Sequence, residues 1–281
     1  MWATRAGRVR QPEPMIRFDV AIRLVEIDAA VAQTAIENHH QGQPFSGDFF
    51  MPAKQLGGRH LAIEVDGRRV GVAAYDEDGL SLCTLDAAAK RFDRQIVETL
   101  LSETGATEAC VASWDRHHVD LFGNFASSIA NQAYQFELLD AEDLHSPVPG
   151  LVLEPASEAD LPYLESTGFQ PDFPDHIASG VVRVARLHGT EVGIAMLVPH
   201  ILNEQRVDIG MFTDPDRRRR GIGRSILALA AREVLANQRR PVAGCGAGNW
   251  ESRPTVEAAG LTCIGTIFRF GLDPDRFLDQ L

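Results

Sequence analysis

Lysine is almost missing from this 281-residue chain, occurring only at Lys54 and Lys90. A phosphate loop of the G-x-x-x-x-G-K-[ST] type is therefore excluded beyond residue 90. Cysteine is sparse: Cys83, Cys110, Cys245 and Cys263 lie far apart, with no C-x-x-C pair and no closely spaced Cys/His set. That spacing closes no zinc site, and reduced thiols without a metal are predicted. No run approaches the roughly 20 apolar residues of a membrane span, and residues 1–14 carry arginines but no apolar h-region. The expectation is a soluble cytoplasmic protein without a membrane partner, with residues 1–15 as a loose tail.

Positive charge is also short. The formal net charge is -12 and the sequence pI is near 5.2, which argues against a general polyanion binder, because nucleic-acid affinity rests on many Lys/Arg contacts to phosphate. No nucleic-acid partner is expected, and the run RRRRGIGRS at residues 217–225 must act locally if it acts at all. The length and the 44% hydrophobic content allow two domains, each with its own core.

A repeat supports two similar domains. VDGRRVGVA at 65–73 and LHGTEVGIA at 187–195 share G-x-x-V-G-x-A, matching Gly67, Val70, Gly71 and Ala73 to Gly189, Val192, Gly193 and Ala195. Alternating apolar residues on both sides of a glycine turn read as a hairpin in each case. The stretch HSPVPG at 145–150, with two prolines and a glycine, is the expected junction.

After the second hairpin the chain runs strand, glycine-arginine loop, helix. The strand is 207–213, and the helix is predicted from Ile226, Leu229, Ala230 and Val234 at i, i+3, i+4 and i+8. In that order, backbone N–H groups at a helix N-terminus converge on an anion, helped by the helix dipole. Glycines at 221 and 223 would let the backbone come close to it.

Read as R-x-x-G-x-G on Arg218, Gly221 and Gly223, the loop resembles the acyl-CoA pyrophosphate loop of the GNAT superfamily of N-acyltransferases. Downstream, Asn249 and Ser252 stand at the family's N-x-x-S spacing, and Gly260-Leu261 precede the last strand as its pattern does. The resemblance implies an α/β (α+β) fold of two tandem GNAT-like domains, each a mixed, mostly antiparallel sheet flanked by helices: a degenerate one at 16–144 and the transferase at 150–281. This layout is similar to that of the mycothiol synthases. It also implies acetyl-CoA as co-substrate, no metal, and an amine attacking the thioester directly. The implied cofactor site comprises Met211, Phe212, Thr213, Arg218, Arg219, Arg220, Gly221, Ile222, Gly223, Arg224, Ser225, Asn249 and Ser252.

The chemistry needs a base, an oxyanion donor and a proton for the departing thiolate. By resemblance, Asp208 stands where the family often has a basic Glu, acting through water because its chain is shorter. It could equally be a solvent-side residue or an arginine's partner, with His200 and Glu204 ranked below it. The oxyanion donor would be a backbone N–H near Met211, Phe212 or Thr213. The family's acidic Tyr is replaced by Val256, and Tyr75, Tyr134 and Tyr163 all lie far from it in sequence. That absence keeps open a non-catalytic acyl-CoA-binding or regulatory protein. The acceptor is expected to be a small-molecule primary amine, with a homodimer left open.

In the first half, residues 80–104 contain no glycine, and Asp86 and Asp93 would repel a diphosphate, so cofactor binding is expected to be lost there. His39-His40 and His117-His118 are read as surface or loop residues. Asp48, Phe49 and Phe50, or Phe173 and Asp175, are candidate cleft walls or loops anchored by aromatics.

Overall fold

A computed structural model describes residues 18–169 and 172–273; the expected tail at 1–15 lies outside them. One element order is used twice. The first half runs β1 (Ile22–Ile27), α1 (Ala29–Gln41), α2 (Phe50–Gly57), β2 (Arg59–Val65), β3 (Arg68–Asp76), β4 (Gly79–Leu85), α3 (Asp93–Thr104), β5 (Glu108–Ala112), α4 (Arg116–Gly123) and β6 (Ala126–Glu137). The second runs β7 (Leu151–Pro155), α5 (Leu161–Ser166), α6 (Phe173–Ala178), β8 (Val182–Leu187), β9 (Thr190–Pro199), β10 (Arg206–Thr213), α7 (Ile222–Ala236), β11 (Arg240–Gly246), α8 (Ser252–Ala259) and β12 (Thr262–Leu272).

The repeated motif has a backbone cause. Asp66-Gly67 and His188-Gly189 all have positive φ, the signature of the two-residue turn that matches strand twist. The second glycine of each copy is needed for space: a Cβ on Gly71 would sit 2.0 Å from Thr84 O, and on Gly193 2.3 Å from Phe212 O. Ala73 and Ala195 are fully buried.

The twelve strands of the described residues form a single sheet in the order β1-β2-β3-β4-β5-β12-β6-β11-β10-β9-β8-β7. The halves are mirrored about its centre, and each gives its final strand to the other: β12 lies against β5, and β6 against β11. Phe136 and Leu138, at and just past the end of β6, are buried in the core under α7 and α8; Phe270 and Leu272 of β12 are buried with α3 and α4. At ~1.5–3 kcal/mol for each such side chain, neither core is complete without the exchanged strand. The connecting segment stays close to the second half, with His145 N–H on Ala259 O at 3.1 Å and Val148 N–H on Ser225 Oγ at 3.2 Å.

Adjacent strands run antiparallel except β4–β5 and β10–β11, which are parallel. These two junctions, one per half, decide where a ligand could enter.

Candidate active site

β10 and β11 pair only from Arg206↔Arg240 to Asp208↔Val242 and then part. His200 N–H bonds Arg206 O and Asp214 N–H bonds Val192 O, both at 3.1 Å. Even-numbered residues of β10 therefore bond β9, and odd-numbered ones turn their backbone groups toward β11. Met211 N–H thus points into the wedge between the parted strands, where among the described residues nothing pairs with it. Thr213 O, one step further, accepts Arg218 Nε at 3.3 Å.

That bond ties the arginine-glycine loop to the strand end. Arg219 and Gly221 have φ of 61° and 78°, so the chain turns through left-handed conformations and enters α7 with the first-turn N–H groups of Ile222, Gly223 and Arg224 without intrahelical acceptors. A Cβ on Gly223 would lie 3.1 Å from Thr213 Oγ1, 3.2 Å from Thr255 Cγ2 and 3.3 Å from Met211 Cε; this glycine lets the helix start close on β10 and α8. Ile226, Ala230 and Val234 face the core as their spacing predicts. Arg217, Arg218 and Arg220 line an open groove of about 760 Å³ with Tyr163, Phe212 and Asp214.

The expected cofactor residues are not all used alike. The Ile222 side chain is core, leaving only its backbone for a ligand. Ser225 is fully buried, its Oγ donating to Gly221 O at 2.8 Å and accepting from Val148 N–H. Arg219 reaches Glu251 at 3.3 Å from an exposed position. The Phe212 ring packs against Phe169 on the opposite face from α7. Asn249 Oδ1 accepts Ser252 N–H at 3.2 Å and so caps the start of α8, while Ser252 lies beside the Cys245 thiol. Val256 is buried in the core. Tyr134, carried on the exchanged β6 opposite Cys245, lies with its ring 4.3 Å under the Arg253 guanidinium.

Asp208 sits on the sheet face away from α7, 8% exposed. Burial first, and then the nearby carboxylate of Asp48, raise it well above the usual carboxylate range. Asp48 belongs to the first half. Its N–H donates to Gln135 Oε1 at 2.7 Å, its Oδ2 accepts Gln135 Nε2 at 3.0 Å and its Oδ1 accepts Phe50 N–H at 2.9 Å. The carboxylate lies across β11 where Gly244 leaves room: a Cβ there would be 1.8 Å from Oδ2. Gln135, Gly244 and Gly210 carry no sequence signal of a role here, and only their place on one sheet face reveals it. Of the other wall candidates, Phe173 is buried in the core beneath α5 and α6. His200 is buried against the backbone of Ser46 and Asp48, its Nδ1 accepting Leu202 N–H at 3.1 Å.

The first-half junction is closed. β4 and β5 pair at Leu80↔Ala109, and side chains fill the parting: Gln55 Nε2 donates to Ser81 O at 2.7 Å, His118 Nε2 accepts Cys83 N–H at 2.8 Å, and His117 Nε2 lies 3.0 Å from Cys83 O. What remains is a cavity of about 20 Å³, room for one water. The histidine pairs expected at the surface or in loops are thus corrected: His118 is buried and His117 half-buried, because the β4 backbone they pair would otherwise be unpaired in the interior, while His39 and His40 are half-buried against the side chains of Asp115 and Gln55. His39, Asp115 and His118 bring ligand atoms within 4.8 Å of one another. A cation is nonetheless poorly served. The Cys83 N–H makes Nε2 the unprotonated nitrogen of His118, so Nδ1 carries its proton toward Asp115 Oδ2, 2.5 Å away.

No protein-family model and no curated protein matches the sequence. Solved structures do match its shape. A GNAT-family acetyltransferase from Colwellia psychrerythraea superposes with a TM-score of 0.79 over 89% of this chain and 100% of its own, at 13% identity. A GCN5-related N-acetyltransferase from Sphaerobacter thermophilus gives 0.59 over 88% and 95%, at 12% identity. A tandem GNAT protein from the clavulanic acid biosynthesis pathway gives 0.52 over 89% and 98%, also at 12%. The chain has the GNAT fold in tandem.

Proposed function

We propose that the protein is an acyl-CoA-dependent N-acyltransferase whose second half binds acetyl-CoA and passes the acetyl group to a primary amine of a small molecule by direct attack. One observation carries the reading: the Met211 N–H faces an open wedge that continues into a helix N-terminus with positive-φ residues at Arg219 and Gly221. Unpaired amides at the loop and first turn suit a diphosphate, and the bound co-substrate supplies the activated acyl carbon. Met211 N–H is then placed for the oxyanion. Asp208, three residues or roughly 10 Å back along the strand, takes the amine's proton, through water where the gap requires it. The Tyr that resemblance would put at Val256 is missing, and the Ser252 hydroxyl or water protonates the thiolate.

Calorimetric titration with acetyl-CoA tests this: one site per chain is expected, followed by amine-dependent release of free CoA. The buried Val256 favours a second reading, an acyl-CoA-binding or regulatory protein without turnover. Binding without CoA release across a broad amine panel would select it.

A further inference from the structure

We propose that Asp48, from the first half, and Asp208, from the second, form a two-carboxylate site that binds the acceptor's ammonium group and so restricts the acceptor to cationic amines. This rests on the transferase reading above and deepens it, since it makes the catalytically silent half part of the acceptor site.

Both carboxylates lie on one face of the two strands that part. Asp208 is on β10, paired with Val242, and Asp48 is laid over Gly244, two residues further along β11. Between them Gly210 leaves open space, since a Cβ there would meet only Met196 Cβ, at 3.7 Å. Asp48 is held by the two hydrogen bonds from Phe50 N–H and Gln135 Nε2. Asp208, more than nine-tenths buried, accepts no hydrogen bond and meets no cation among the described residues. A buried carboxylate left so, aimed at an open position beside a second carboxylate, is a site built for a donor that arrives from outside.

The other charged groups on this face do not fill that role. Arg206 of β10 is 2.7 Å from Glu137 of β6, and Arg240 lies 3.8 Å from the same carboxylate. His200 stays neutral, its burial and the neighbouring Arg206 holding it below its ordinary value. Burial raises both carboxyls, so the empty pair gives up its last proton at a higher pH than an ordinary carboxylate does, and Asp208 holds it longest because Asp48 has the donors.

An entering ammonium displaces that proton to solvent and lies between two carboxylates. It then gives one proton to Asp208, and the freed lone pair forms the C–N bond as the C–S bond breaks. The second nitrogen proton goes to the departing sulfur, leaving amide, thiol and protonated Asp208.

The test uses the full chain saturated with CoA, titrated calorimetrically with n-butylammonium and with n-butanol at about pH 7.5 in two buffers of different ionisation enthalpy. The expected result is binding of the ammonium alone, accompanied by proton release. Asp48→Asn should weaken that binding about tenfold or more. Gly244→Ala, which displaces the Asp48 carboxylate, should do the same, with acetyl-CoA affinity within about twofold of the parent in both variants. Equal binding of the alcohol, no ammonium binding, or parent-like binding by Asp48→Asn would overturn the proposal. Failure of the parent chain to bind acetyl-CoA would instead remove the transferase reading, and the ammonium arm is then read on the chain without CoA.

Discussion

Cys83 and Met211 occupy the same place in the two halves, each opposite the alanine that ends the repeated motif, Ala73 and Ala195. The Cys83 N–H is bonded to His118 Nε2 and its carbonyl lies against His117; the Met211 N–H faces an open wedge. Further back, a β-bulge in β4 brings Gly79 opposite Asp76 where the second half has Asp208 opposite Val198, so β4 carries no carboxylate at that place. The loop after β4 contains no positive-φ residue and enters α3 with Asp93, whereas the loop after β10 has Arg219 and Gly221. The same strand parting is thus core in one half and an open wedge in the other. The difference lies in who supplies partners for the backbone, because polar groups removed from water must be paired by protein or by ligand.

The sharpest way to break this comparison is at the loop. Gly221→Asp demands φ near 78° of a side-chain-bearing residue and puts a carboxylate where the diphosphate would lie. Acetyl-CoA affinity should fall on the order of 100-fold or more, read by calorimetry, with no residual tight site. A second site surviving in the variant would show that the first half binds after all.

Much of this was legible in the sequence because backbone geometry leaves residue-type marks. Gly67 and Gly189 mark hairpin turns, Gly71 and Gly193 a close strand approach, and Gly221 a left-handed turn. The α7 face could be read from period alone. The exchange of β6 and β12 could not, since both alternate well enough to sit in either half and pairing at such separation leaves no local pattern. Asp48 and Asp208 are likewise 160 residues apart, joined by a loop that crosses β11 at a glycine whose role shows only in three dimensions. The histidines were misjudged because adjacent pairs look like surface, while what fixes His117 and His118 is the unpaired backbone of β4, and what fixes His39 and His40 is the side chains of Asp115 and Gln55.

Reopening the first half should cost stability and gain no ligand. His118→Ala leaves the Cys83 N–H unpaired in the core and removes one donor from Asp115, a loss of about 2–4 kcal/mol. Tm should fall by roughly 5–10 °C in thermal unfolding, with acetyl-CoA still binding one site per chain. A gained second site would mean that the histidines, and not the glycine-free loop, had closed that half.

The halves should also respond to acid in opposite senses. His40, bonded through Nε2 to Gln55 Oε1 at 2.6 Å, is lowered by burial from 6.5 to about 4. The unfolded chain takes up its proton first as pH falls, so its contribution is complete above 6.5 and is lost down to about 4. Burial lowers His118 as well, adding to the same trend. His40→Gln should reduce the fall in Tm over that window by roughly 3–6 °C. An unchanged pH profile would place His40 outside the closed core.

Asp208 runs the other way, and its stability effect is the smallest. Its carboxyl is raised in the folded chain, so the folded state holds a proton that the unfolded state has lost, and stability falls as pH rises from the ordinary carboxylate range through the raised value. Asp208→Asn removes that cost while keeping the shape. It should stabilise the protein by about 1 kcal/mol at neutral pH and by less near pH ~4, while amine-dependent CoA release drops sharply. Stability gained with activity lost is the expected mark of a carboxylate kept buried for chemistry. A variant with lower Tm at neutral pH would instead make Asp208 a structural partner, and the contrast with Gly79 would then concern packing alone.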